Sequence, residues 1–192
     1  MTIIAWRQVY VKRDMLNNRH RCAIMPIGGG GALMLVCDLY VKIDTQFRRT
    51  IDEGWLRRVV EKSLNVAAIN RSVELSVVIT DDEAIRQLNR DYRGVDEATD
   101  VLSFAFNEDT DATTFVSPPD GVSRLGEVLI SCQRARSQAR QHKHSTRREL
   151  ALLLSHGVLH LLGYEHEDSA STDRMKAIEE TILRELSHEH LV

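Results

Sequence analysis

Residues 73–94 read VELSVVITDDEAIRQLNRDYRG. The first seven are a short, mostly apolar run of the kind that forms a buried strand. Thr80-Asp81-Asp82-Glu83 follows with the spacing of a capping box, so a helix starts there and runs to about Tyr92, where Gly94 stops it. Upstream, Leu35, Cys37, Leu39, Val41 and Ile43 alternate with Asp38, Lys42 and Asp44, which predicts a half-buried strand over 35–43. Residues 52–69 carry Trp55, Leu56, Val59, Val60 and Leu64 at helical spacing. Downstream, strands are predicted over 101–106 and 125–131, a loop over 107–123, and helices over 132–141, 147–162 and 169–186. Strands interleaved with helices, followed by an all-helical final third, predict an α+β (mixed α/β) fold: a small mixed β-sheet packed with helices. The order of the strands does not follow from this pattern.

The chain has 192 residues, 43% hydrophobic and 28% charged, which suffices for one packed domain with some chain left over. A net charge of −3 excludes a generally basic nucleic-acid coat but not a local basic patch. Three scattered cysteines, Cys22, Cys37 and Cys132, make neither a disulfide framework nor a cysteine-only zinc site, and point to a reducing, cytoplasmic setting. No apolar run is long enough to predict a membrane span.

The first 33 residues differ from the rest. They hold five basic residues and one acidic residue, lack sustained periodicity, and lead through Gly28–Gly31 to Met34. They are expected to form a disordered N-terminal extension, 1–33, ahead of a single domain over 34–192. Three readings stay open: a misassigned start with Met34 as the true first residue, a transit peptide, or a basic arm that touches RNA. The remaining 159 residues carry 20 basic and 27 acidic side chains, a net −7. Such a body cannot attract a nucleic acid by overall charge.

Three of the eight histidines crowd into Ser155–His166. His156 and His160 are four apart on a predicted helix, so they share one face a turn apart. Gly163 lets the chain turn and His166 come back as a third ligand. Three imidazoles leave one tetrahedral position open, the mark of a catalytic zinc site, and one Zn2+ per chain is expected, with copper, nickel and iron as the other metals that imidazole suits. The spacing H-x-x-x-H-x-x-G-x-x-H matches the zinc motif of metzincin proteases, except that Gly157 stands where they carry the glutamate base. The ligand set of a zincin-like site is present and the protease base is not. Hydrolysis of an amide or a phosphodiester is the reaction class that fits. His20, His142, His144, His188 and His190 are expected to be bystanders.

Tyr92-Arg93-Gly94, Thr99-Asp100-Val101-Leu102-Ser103-Phe104, Leu125-Gly126-Glu127-Val128 and the run from His156 to His166 together resemble the YbeY family of metal-dependent endoribonucleases. The resemblance covers residues 34 to the C-terminus. It implies His156, His160 and His166 as zinc ligands and Arg93 as the catalytic arginine. It also implies a single-strand-specific endoribonuclease that matures the 3′ end of small-subunit ribosomal RNA and takes part in ribosome quality control, with single-stranded RNA and the ribosome as partners. Glu165 and Glu127 stand where the family usually has Asp, which leaves the role of Glu165 open. Thr99 and Asp100 are expected to close the turn after Gly94. The basic side chains from Arg134 to Arg148 are the RNA-binding candidates. The rival functions are a metalloprotease-like hydrolase and a non-catalytic, zinc-containing ribosome-associated factor.

Overall fold

The computed structural model describes residues 19–24, 35–106, 121–165 and 168–192. The predicted loop therefore lies, over 107–120, outside the described residues. The elements, in chain order, are β1 (Arg19–Ile24), β2 (Leu35–Ile43), α1 (Glu53–Val66), β3 (Val73–Thr80), α2 (Asp82–Arg93), β4 (Val101–Ala105), β5 (Ser123–Ser131), α3 (Cys132–Gln141), α4 (Thr146–Leu161) and α5 (Ser169–His188). The fold is mixed α/β, as the alternation predicts.

The strands form one sheet in the order β1-β2-β3-β5-β4. β2, β3 and β5 run parallel, while β1 and β4 pair antiparallel at the two edges. β1 lies within 1–33, the segment expected to be a disordered extension. Its local sequence carries no strand signal; the pairing comes from the edge that β2 offers, a tertiary contribution that periodicity does not register.

Successive residues of β5 face opposite layers. Val128 and Ile130 join the main core with α1, α4 and α5, whereas Leu129 packs with Ile85 and Leu88 of α2. Helices α1 and α4 therefore cover one face of the sheet, and α2 covers the other. Each helix start is capped by a side chain: Asp52, Asp81, Ser131, Ser145 and Asp168 each accept a backbone N–H of the first turn. Each cap contributes on the order of 1 kcal/mol.

One charge is buried against this pattern. Glu127 of β5 is 4% exposed, sits laterally between Ser76 of β3 and Phe104 of β4, and its Oε1 accepts no hydrogen bond. Burial pushes its carboxyl up to about 7, with the Lys42 ammonium opposing the shift. The folded protein therefore holds this proton more tightly than the unfolded chain. The cost of burying the charge is absent below the unfolded pKa near 4.5, grows as the pH rises to about 7, and is constant above that. Between pH 5 and pH 8 the group costs on the order of 3 kcal/mol of stability. Glu127→Gln is expected to abolish this part of the pH dependence, read from urea midpoints at the two pH values. Equal pH slopes in the two proteins would contradict it.

Candidate metal centre

α4 brings the first two motif histidines together. His156 Nε2 and His160 Nε2 lie 3.0 Å apart, their rings nearly perpendicular at 80°. On the other side of the first ring, His156 Nδ1 is 2.7 Å from Glu179 Oε1 of α5. A carboxylate can only accept, so Nδ1 carries the proton and, in the neutral ring, Nε2 keeps its lone pair. That lone pair is directed to the side on which His160 sits. A carboxylate behind a ligand imidazole both orients the ring and raises its basicity. Two imidazole nitrogens so held fit a shared divalent ion. Gly163, just past the end of α4, has φ 88 and turns the chain as the sequence predicts. Glu165 beyond it is exposed. His166 lies outside the described residues.

Gly157, between the two histidines, faces the sheet. A Cβ there would stand 2.5 Å from Val128 Cγ1 and 3.0 Å from Ser103 Oγ. The absence of the protease glutamate at this position thus has a packing cause: α4 lies too close to β4 and β5 for any side chain.

The family model described as endoribonuclease YbeY matches residues 41–187. The chain belongs to the endoribonuclease YbeY family. An endoribonuclease YbeY of Roseiflexus sp. (strain RS-1) is 44% identical over 147 residues, which cover 76% of this chain and 91% of that protein. One from Dehalococcoides mccartyi is 39% identical over 154 residues, 78% of this chain and 96% of the relative. A protein from Thermotoga maritima, solved in solution, shares the fold at a TM-score of 0.50 and 23% identity, over 79% of this chain and 94% of that one. Membership in the YbeY family makes this chain one of a group of hydrolytic nucleases. No described helix is long and apolar enough to cross a membrane.

The other YbeY motif residues take distinct places. Arg93 is the exposed last residue of α2. Its neighbour Tyr92 packs edge-on against Phe104, with ring centroids 5.9 Å apart. β4 is the sheet edge, and α2 and α4 cover its two faces. Arg93 and the histidine pair therefore approach that edge from opposite faces, with no contact between them in the described residues. Asp100 closes the turn. It accepts from Thr99 Oγ1, Val101 N and Gln138 Nε2 at 2.8–3.0 Å. Burial opposes its charge, but these hydrogen bonds outweigh burial and hold the carboxyl below its ordinary value.

A second group lies at the turn from α3 into α4. His142, His144 and Glu149 bring their ligand atoms within 4.8 Å of one another and could hold a metal ion. His144 Nε2 is 2.9 Å from Glu149 Oε2, and His142 Nδ1 is 3.6 Å from it. The bystander reading of these two histidines missed Glu149, which is 2% exposed. Glu179 was also missed. Its signal is positional: it falls in the stripe Met175, Ile182 and Leu186 that α5 buries, where a carboxylate needs a partner.

Proposed function

We propose that this chain is a single-strand-specific, zinc-dependent endoribonuclease that matures the 3′ end of small-subunit ribosomal RNA and acts in ribosome quality control in the cytoplasm. The observation that carries the reading is the convergence of His156 Nε2 and His160 Nε2 with Glu179 behind the first ring. His156, His160 and His166 would hold one zinc ion, and residues 34–192 would form the nuclease domain. When bound, such an ion supplies Lewis acidity and lowers the pKa of its water. The protein's own part is to fix that geometry. Glu179 keeps the His156 proton on Nδ1, and Gly157 lets α4 lie against β4 and β5. Arg93 presents a planar fork of N–H donors to the non-bridging oxygens of the scissile phosphate, where negative charge builds up.

Metal content and RNA cleavage measured together test the reading. Chelation is expected to stop cleavage of single-stranded RNA, and added zinc to restore it, with a histidine variant as the control for contaminating nuclease. Unstructured peptide is expected to stay intact; its hydrolysis would favour the protease instead. Arg93→Ala is expected to keep the zinc and lose about 10²-fold in cleavage. Full cleavage at full zinc would remove Arg93 from the mechanism.

A further inference from the structure

At the far end of α4 from the histidine pair lies a cavity of about 1040 Å³. It opens at the carboxyl ends of parallel strands, beside Ile43 of β2 and Cys132 just after β5, the place where sheets of this kind take ligands. Three helices begin on it, through Glu53 of α1, Cys132 of α3 and Thr146 of α4, each adding the partial positive charge of its N-terminus. Its walls carry Lys42, Arg48, Arg49, Arg136 and Arg147 against two carboxylates, Asp52 and Glu53. Asp52 is occupied in capping α1, where it accepts Trp55 N at 2.7 Å.

Some arginines outside the cavity are held in ion pairs, while others, such as Arg57, Arg58 and Arg140, are in none among the described residues. Arg86 and Arg90 lie beside Asp96, Arg124 beside Glu74, and Arg134 beside Asp82. None of the four cavity arginines has an ion-pair partner among the described residues. Three of the four are nevertheless held in place. Arg136 lies over the Phe47 ring at 5.5 Å and donates to Thr50 Oγ1 at 3.0 Å. Arg147 lies over the Trp55 ring at 5.2 Å, and Arg48 Nε donates to the Ile43 carbonyl at 2.9 Å. Phe47 and Trp55 are themselves buried, so the Arg136 and Arg147 guanidinium groups each have an aromatic floor and an outer side turned away from it. A guanidinium plane held this way both pairs with phosphate and stacks on an unpaired base.

We infer that this cavity is a second binding site for the single-stranded RNA substrate, gripping backbone phosphates away from the bond that is cut. The inference rests on the proposed endoribonuclease activity for the identity of its ligand. Arg147 and His156 are nine residues apart on α4, about 13 Å of helix rise, so one strand engaging both would run along the helix. The site gathers positive charge locally on a body of net −7. It also narrows the basic run of Arg134–Arg148 to Arg136 and Arg147, and adds Arg48 and Arg49 from the turn after β2.

The test is binding of a fluorescent single-stranded RNA dodecamer to the full chain, by anisotropy across a salt series with chelator present so that nothing is cut. Arg49→Glu with Arg147→Glu is expected to weaken binding at least tenfold. It is also expected to flatten the slope of log K against log salt by about 0.7 for each phosphate that is no longer neutralised. The neutral pair Arg49→Gln with Arg147→Gln should show a smaller loss in the same direction, and circular dichroism checks that all variants fold. Unchanged affinity and slope in the folded variants would overturn the inference. Displacement of the RNA by inorganic phosphate at concentrations comparable to those of the RNA would also overturn it, in favour of a small-anion site. RNA binding that depends on these arginines in a protein that never cleaves RNA would leave the inference standing and sink the proposed activity.

Discussion

His160→Ala is expected to cost the chain the zinc proposed to sit on α4 and at least about 10³-fold in cleavage of single-stranded RNA, roughly 4 kcal/mol of barrier at 1.36 kcal/mol per decade. His160 Nε2 stands 3.0 Å from His156 Nε2, so its removal leaves His156 without the neighbour that makes the pair chelating. The His160 ring is partly exposed, and its loss opens no sealed core cavity, so the fold should survive. Glu179→Gln gives a graded companion. An amide presents an N–H or a carbonyl to His156 Nδ1 in place of a carboxylate, and losses of this kind weaken metal affinity by about 10- to 100-fold. Metal stoichiometry by equilibrium dialysis reads both variants without reference to activity. A His160→Ala protein that still binds one zinc per chain with wild-type affinity would move the centre to His142, His144 and Glu149.

The local elements were legible because each rests on a signal carried by neighbouring residues. The alternation over 35–43 becomes β2 with the same bounds, and Ser131-Cys132 opens α3 where predicted. The caps slip by one residue for reasons of contact. Thr80 Oγ1 donates to Asp44, which leaves Asp81 to cap α2. The helix predicted over 147–162 starts at Thr146, capped by Ser145, and Glu149 turns inward toward His144. The strand order was not legible, since β3 pairs with β5 across a whole helix and strand, and nothing local encodes that choice. The site divides in the same way. His156 and His160 are a turn apart and declare themselves by spacing. Glu179 is 23 residues from its partner, and Arg48 and Arg49 meet Arg136 and Arg147 only through the packing of α1, α3 and α4. A sequence shows what a helix face holds, whereas the fold decides which faces meet.

Gly157→Glu, which writes the protease glutamate into the motif, is expected to yield no peptidase and to cost the fold on the order of 5 kcal/mol. Even the first atom of that side chain has no room. Its Cβ would stand 2.5 and 3.1 Å from the two Val128 methyls and 3.0 Å from Ser103 Oγ. Val128 is fully buried in a central position of β5 and cannot yield as a surface side chain would. The remaining atoms would carry a carboxylate into the tightly packed seam between α4 and the sheet, where its charge is costly to bury. Gly157→Ala separates the two contributions. Alanine gains about 1 kcal/mol of helix propensity over glycine and loses about 1–3 kcal/mol to overpacking, so the net change is smaller but still destabilising. Either substitution lifts α4 from β4 and β5, and with it the two histidines it positions. Metal affinity should therefore fall alongside the thermal midpoint, and Gly157→Glu should lose more of both. A Gly157→Glu protein with wild-type stability would show that the helix can move off the sheet at little cost. The glycine would then need another explanation than packing.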